Sequence, residues 1–235
     1  MNENIKEINK MRLYYESAMK QLKNWLDLLN DEFEMLDNNN PINHIKTRLK
    51  SSSSIIEKIQ RNNKDINLKN ICDLTDIVGA RIVCNFIDDI YVVINKLKSN
   101  SNINIIQEKD YIKKPKKSGY RGYHLIISIP ISIKGNLKNI KCEIQIRTSA
   151  MDFWASNEHK LNYKNSNSTE NMSKELIKIS KKVWQLDKMM NDLHQKCHDD
   201  SKNNFLKLTD NMDYALKENI IRQIESWRNK KEICE

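Results

Sequence analysis

Between Lys138 and Thr148 the chain reads KNIKCEIQIRT, a strict two-fold alternation. Extended, it puts Ile140, Cys142, Ile144 and Ile146 on one side and Lys141, Glu143, Gln145 and Arg147 on the other. The apolar side needs a core to lie against. The polar side sets a carboxylate between cations, which suits either a solvated surface or a site for a metal and a phosphate.

The segments around this strand predict a sheet with helices at both ends. Ala80 to Phe86, Asn102 to Tyr111 and His124 to Ile131 also read as strands, and Asp88 to Lys98 as a helix. Met11, Tyr15, Ala18, Leu22, Trp25, Leu29, Phe33 and Leu36 recur at helical spacing and predict one helix over 3–36, ended by Asp37 to Pro41. A second helical stretch is expected from Pro41 to Asn63, interrupted around Ser51–Ser54. Ser149 to Asn162 is predicted helical, and Lys164 to Asn171 a loop. Two later apolar stripes, Leu176 to Leu193 and Leu208 to Trp227, predict C-terminal helices for packing or oligomerisation. The expected fold class is α/β (α+β), with a mixed sheet of four to five strands flanked by helices. The expected division is 1–40 for the N-terminal helix, 41–165 for a catalytic core and 166–235 for the C-terminal helices.

Composition excludes several classes. With 39% hydrophobic residues over 235 positions the chain can bury a core. No run approaches the roughly 18 apolar residues of a membrane span, and MNENIKEINK lacks the apolar core of an export signal. Cys72, Cys84, Cys142, Cys197 and Cys234 are odd in number and scattered, which argues against a disulfide framework and a zinc site. A cytoplasmic protein is expected. The net charge of +9 suits a polyanionic partner. Five of the arginines, Arg48, Arg61, Arg81, Arg121 and Arg147, fall where the candidate motifs lie.

Several groups could carry chemistry. The loop KKPKKSGYRGYH interleaves Lys116, Arg121 and other cations with Tyr120 and ends at His124, a pattern that suits phosphate contact and base stacking or a plain solvated loop. Ser54, Lys58 and Arg61 share one helical face. Asp76 precedes the strand that bears Arg81, and with Glu143 it could share a divalent cation, since Mg²⁺ takes one or two carboxylates plus substrate phosphates. There is no P-loop, dinucleotide fingerprint or HExxH pair.

Three segments, DLTDIVGARIVCNFIDDI, DYIKKPKKSGYRGYH and EIQIRTSAMDFWASNEHKLNYK, together resemble the RelA/SpoT alarmone synthetases, specifically the single-domain small enzymes of the RelQ type. That resemblance runs from about Ile42 to Lys164. It implies a nucleotidyltransferase-like fold and a GTP diphosphokinase that moves pyrophosphate from ATP to the 3′-hydroxyl of GMP, GDP or GTP, with Mg²⁺. It assigns Arg48, Ser54, Lys58, Arg61 and Arg81 to ATP, with Arg81 stacking on adenine opposite Arg48. It assigns Asp76 and Glu143 to the metal, and Glu143 also to the base. Tyr120 matches the guanine-stacking tyrosine, and Lys116, Arg121, His124, Gln145, Arg147, Asp152 and Glu158 fall on the acceptor side. The family commonly has Asn where this chain has Asp152, and Ser where it has Gly122. The resemblance also implies a homotetramer and a synthetase without hydrolase, and is compatible with regulatory binding of an alarmone or single-stranded RNA. Two other readings stay open at this stage: an RNA-binding regulatory protein, and a relative acting on an adenine nucleotide or tRNA.

Overall fold

In the computed structural model, residues 2–36, 40–101, 103–164 and 170–210, together with Arg222, are described. They fall into two compact units, Met1–Met189 and Met190–Glu235. The first unit holds the sheet and the candidate site.

The elements run α1 (Asn2–Leu36), β1 (Ile42–Leu49), α2 (Ser52–Arg61), α3 (Leu68–Cys72), β2 (Val78–Cys84), α4 (Ile87–Ser99), β3 (Asn104–Asp110), β4 (Tyr123–Ile133), β5 (Asn136–Thr148), α5 (Ser149–Lys164) and α6 (Glu170–Asp210). One five-stranded sheet has the order β1-β2-β5-β4-β3. The pair β2–β5 is parallel and the others are antiparallel, so the sheet is mixed as expected.

The core lies on one face of that sheet. Ile140, Cys142, Ile144 and Ile146 of β5 are buried, as the alternation requires, beside Leu125, Ile127 and Ile129 of β4 and Val78, Ala80 and Ile82 of β2. Helix α1 covers them with Tyr14, Ala18, Leu22 and Leu26, and α4 with Ile90, Val93 and Ile94. Each buried Ile, Leu or Val among them contributes about 1.5–3 kcal/mol on leaving water. That burial leaves the opposite face of β2, β4 and β5 for polar chemistry.

One expectation is corrected. Residues 42–49 form strand β1, not the first half of a helix, and the helix α2 starts only after it. Ile42, Ile45 and Thr47 are β-branched, and the segment pairs antiparallel with β2 from Ile42↔Cys84 to Leu49↔Val78. Sheet pairing outweighs local helical spacing here. Ser51 then caps α2, its hydroxyl accepting from the Ser54 backbone N–H at 3.3 Å. The short α3 is an element the sequence pattern did not reveal.

The strands expected at 80–86, 102–111, 124–131 and 139–148 and the helices expected at 3–36, 88–98 and 149–162 all occur close to their expected bounds. The loop predicted at Lys164 to Asn171 is helical at its two ends, and residues 165–169 lie outside the described ones. The second apolar stripe, Leu208 to Trp227, lies outside the residues whose side chains are described. Among the described residues no helix is long and apolar enough to cross a membrane, and Cys72, Cys84, Cys142 and Cys197 are all free thiols.

Candidate active site

Sheet register assembles the site. On the face away from the core, Gly79 of β2 pairs with Glu143 of β5, and Arg81 pairs with Gln145. Gln145 in turn pairs with His124 of β4, and on the other flank Arg48 and Lys46 of β1 pair with Gly79 and Arg81. Chain pairing thus places Lys46, Arg81, Gln145 and His124 in one row and Arg48 and Glu143 in the next. Gly79 leaves room between them: a Cβ there would lie 3.8 Å from Arg48 Cγ.

A cleft of about 300 Å³ opens over these rows, lined by Lys46, Arg48, Asp76, Arg81, Glu143 and Gln145 among others. Asp76 sits at its edge. Lys50 Nζ lies 2.8 Å from its Oδ2, and Lys58 Nζ, reaching from α2, lies 2.8 Å from its Oδ1. Both carboxylate oxygens thus face a lysine, and Oδ1 is buried. Burial alone would raise the Asp76 carboxyl, but the hydrogen bonds and charges of Lys50 and Lys58 outweigh it and hold the group below its usual range.

Glu143 is part of a closed ring of five side chains. His124 Nδ1 is 3.0 Å from Glu143 Oε1, and His124 Nε2 is 2.5 Å from the Tyr120 hydroxyl. Arg147 Nε donates to that hydroxyl at 3.1 Å, and Arg147 Nη2 donates to Gln145 Oε1 at 2.5 Å. Gln145 Nε2 closes the ring on Glu143 Oε2 at 2.6 Å. An ionised Glu143 accepting from His124 Nδ1, with the Tyr120 O–H donated to Nε2, satisfies every bond, as does an imidazolium donating to both neighbours. Burial works against ionisation of Glu143, yet His124 and Gln145 more than offset it and keep its carboxyl below the ordinary value. Burial pushes the Tyr120 hydroxyl up, against the pull of Arg147.

The ring is anchored to a cation cluster. Asp152, at the start of α5, accepts from Arg147 Nη1 at 3.1 Å and lies 2.9 Å from Arg81 Nη1 through the same Oδ1. Lys116 Nζ stands 4.6 Å from the Tyr111 ring centroid and 4.7 Å from that of Tyr120, while Arg147 Cζ is 4.9 Å from the latter. Burial lowers the Lys116 ammonium below its usual value, with Glu143 and Glu158 pulling the other way.

Most residues singled out in the sequence therefore meet in one place. Arg48, Asp76, Arg81, Glu143 and Gln145 line the cleft, and Lys58 enters it through Asp76. Tyr120, His124, Arg147 and Asp152 join through the ring, with Lys116 over the tyrosines and Glu158 within electrostatic reach of Lys116. Ser54 lies one turn before Lys58 on α2, and Arg61 is exposed near that helix's end. Arg121 stands apart: its guanidinium packs on Trp184 of α6 at 4.1 Å and donates to the Ile112 carbonyl at 2.5 Å. This geometry does not carry its assignment to the acceptor.

Lys46, Lys50 and Tyr111 were missed by the sequence reading. Lys46 and Arg48 alternate along β1 and Lys50 follows just past its end, a signal that depends on taking 42–49 as a strand.

The donor set suits Mg²⁺ rather than a protein-built metal cage. No group of three or more acidic, His or Cys ligands occurs among the described residues. Asp76 and Glu143 supply two carboxylates at one cleft, the number Mg²⁺ takes beside substrate phosphates.

Comparison with known proteins finds relatives of the whole first unit's core. A family signature described as "Region found in RelA / SpoT proteins" matches residues 47–168. The chain is 41% identical over 180 residues to the GTP pyrophosphokinase YwaC of Bacillus subtilis (strain 168), covering 76% of this chain and 86% of that protein. It is 39% identical over 180 residues to the GTP pyrophosphokinase YjbM of the same organism, covering 76% and 84%. The solved structure of small alarmone synthetase 1 from Bacillus subtilis bound to its product pppGpp superposes with a TM-score of 0.75 at 36% identity, over 81% of this chain and 98% of that one.

Proposed function

The chain belongs to the RelA/SpoT family, and from that premise we propose that it is a GTP pyrophosphokinase that transfers the pyrophosphate of ATP to the 3′-hydroxyl of a guanosine nucleotide, making pGpp, ppGpp or pppGpp. The observation that supports this reading is the pairing of two ionised carboxylates, Asp76 and Glu143, in a cleft lined by Lys46, Arg48 and Arg81. A pure polyanion-binding surface gains nothing from buried acids, whereas phosphoryl transfer needs them.

Each residue has work to do. ATP would lie over β1 and β2, where Arg48 and Arg81 offer planar guanidiniums for its base, and Lys46, Lys50, Lys58, Arg61 and Ser54 offer donors for its phosphates. The acceptor would lie beside Tyr120, with Lys116, Gln145, Arg147, Asp152 and Glu158 around it. The 3′-oxygen attacks the β-phosphorus of ATP, the bond from that phosphorus to the α–β bridging oxygen breaks, and AMP leaves. Glu143 takes the hydroxyl proton, its carboxylate kept ionised and aimed by His124 and Gln145. When bound at Asp76 and Glu143, Mg²⁺ supplies charge to offset that building on the phosphoryl oxygens. Fixed cations along β1 and β2 serve the same end without reorganising.

We extend the proposal to organisation: residues 41–165 form the catalytic core, the flanking helices serve packing and assembly as a homotetramer, and the setting is the cytoplasm. Ile179 and Leu186 of α6 are about half exposed, which fits further burial on self-association.

The test is purified protein with labelled ATP and Mg²⁺ and, in parallel, GMP, GDP, GTP or tRNA, the products identified by mass. Transfer to a guanosine nucleotide is expected. Transfer to tRNA alone, or to no acceptor, overturns the reading.

A further inference from the structure

Tyr120 is not seated in the main core. It packs in a second apolar cluster with Trp154 and Ala155 of α5 and Leu176 of α6, with Tyr111, Met172 and Val183 at its margin. Three contacts tie that wall together. Ser180 Oγ donates to the Gly119 carbonyl at 2.5 Å. Trp154 Nε1 donates to the Leu176 carbonyl at 3.0 Å. The Arg121 guanidinium lies 4.1 Å over the Trp184 ring while it donates to the Ile112 carbonyl, so one side chain bridges α6 to both arms of the 111–122 loop.

The fit is close. Gly119 has φ +90°, and a Cβ on it would sit 2.8 Å from Ser180 Cβ. The space left between Gly119, Arg121, Trp154, Ser180 and Trp184 is a void of about 10 Å³, room for one water at most.

We infer that helix α6 sets the position of the acceptor side of the site, and that Arg121 is a positioning residue acting through Trp184 rather than a ligand for nucleotide phosphate. This rests on the proposed binding of the acceptor beside Tyr120. Displacing α6 at Ser180 or Trp184 releases the loop that carries Lys116 and Tyr120. Among the described residues, the hydrogen bonds of Ser180 and Trp154 and the stacking of Arg121 on Trp184 tie α6 to the 111–122 loop and α5, not to β1, β2 or α2. A cation stacked on an aromatic ring holds a fixed geometry at little entropic cost, and a misplacement of about 1 Å at a reacting group can cost about a hundredfold in rate.

The experiment compares Arg121→Met, Trp184→Leu, the double variant and Trp184→Phe in two assays. In steady-state kinetics, each of the first two should raise the acceptor KM about tenfold and leave the ATP KM within about twofold, and the double should be no worse than either single. Trp184→Phe, which keeps an aromatic face, should restore the acceptor KM. In limited trypsin digestion with cleavage sites located by mass, cutting after Lys116 and Lys117 should quicken about tenfold in Trp184→Leu while cutting within residues 42–110 does not. A parental acceptor KM in Trp184→Leu, additive losses, or equal losses for ATP and acceptor overturn the inference. So does unchanged or uniformly faster digestion. The digestion arm needs no turnover, so it decides the inference even if the parent transfers to no acceptor and the proposed function itself fails.

Discussion

Arg81 Nη1 lies 2.9 Å from Oδ1 of Asp152, and this one oxygen also receives Arg147 Nη1 at 3.1 Å. Two guanidiniums from different strands, one on each side of the site, thus share a single counter-charge. Burial lowers the Arg81 guanidinium, Arg147 and Arg48 lower it further, and Asp152 opposes them. Asp152→Asn keeps the shape and removes the charge. The apo protein should lose about 2–5 °C in Tm. The ATP KM should fall about three- to tenfold, because the freed cation potential favours polyphosphate. Thermal denaturation and initial rates check both. A higher ATP KM would contradict the shared counter-charge.

Gly122 has φ +153°, and a Cβ on it would lie 3.0 Å from the Tyr120 hydroxyl and 3.2 Å from Arg147 Cγ. A residue with that atom needs the Tyr120 hydroxyl and the Arg147 side chain to give by a few tenths of an ångström, besides adopting a backbone angle that side chains rarely take. Gly122→Ser, the family's commoner residue, should cost about 1–3 kcal/mol of stability. It should also part Tyr120 from Arg147 and change the acceptor KM more than the ATP KM. Equal stability and unchanged kinetics would show that the ring has slack at this point.

Asp76 makes the folded protein sensitive to acid. Its folded pKa is depressed, with burial working upward and Lys50 and Lys58 working downward more strongly. A depressed acid stabilises fully above its unfolded value of about 4 and loses that contribution as pH falls through the lower folded value. Asp76→Asn should therefore be less stable than the parent by about 1–2 kcal/mol at pH 7, a figure reduced because Lys58 is about a third exposed. The gap should shrink as pH falls below about 4. Urea midpoints across that range check it, and a gap independent of pH would rule out the ion-paired carboxylate as its cause.

How far the sequence could be read differs from element to element. The β5 alternation was legible because one face is fully buried, so Ile140, Ile144 and Ile146 cannot appear elsewhere without exposing the core. Strand β1 was not, because Ile45 and Leu49 also lie at helical spacing, and its pairing with β2 is a non-local fact. With β1 misread, the row Lys46, Arg48, Lys50 was invisible and Lys50 was missed. Helix α6 taught a similar lesson. Its apolar stripe divides: Leu176 and Val183 turn inward with Ser180, Trp184 and Asp187, whereas Ile179 and Leu186 stay about half exposed. A hydrophobic pattern does not mark Ser180, nor Asp187, whose Oδ2 accepts from the Thr148 hydroxyl at 2.6 Å. Arg121 was placed by its neighbours in the motif, and its packing on Trp184 depends on a helix more than sixty residues away in the chain.

The central claim is that Glu143, aimed by His124 and Gln145, takes the proton of the attacking hydroxyl. The most direct measurement is turnover of Glu143→Gln with labelled ATP, Mg²⁺ and the guanosine acceptor the parent prefers, alongside direct nucleotide binding. Gln keeps the volume and a hydrogen bond while losing the base. Transfer should fall at least about a hundredfold, with affinity for both nucleotides within about threefold of the parent. Turnover at the parental rate in that variant would contradict the account.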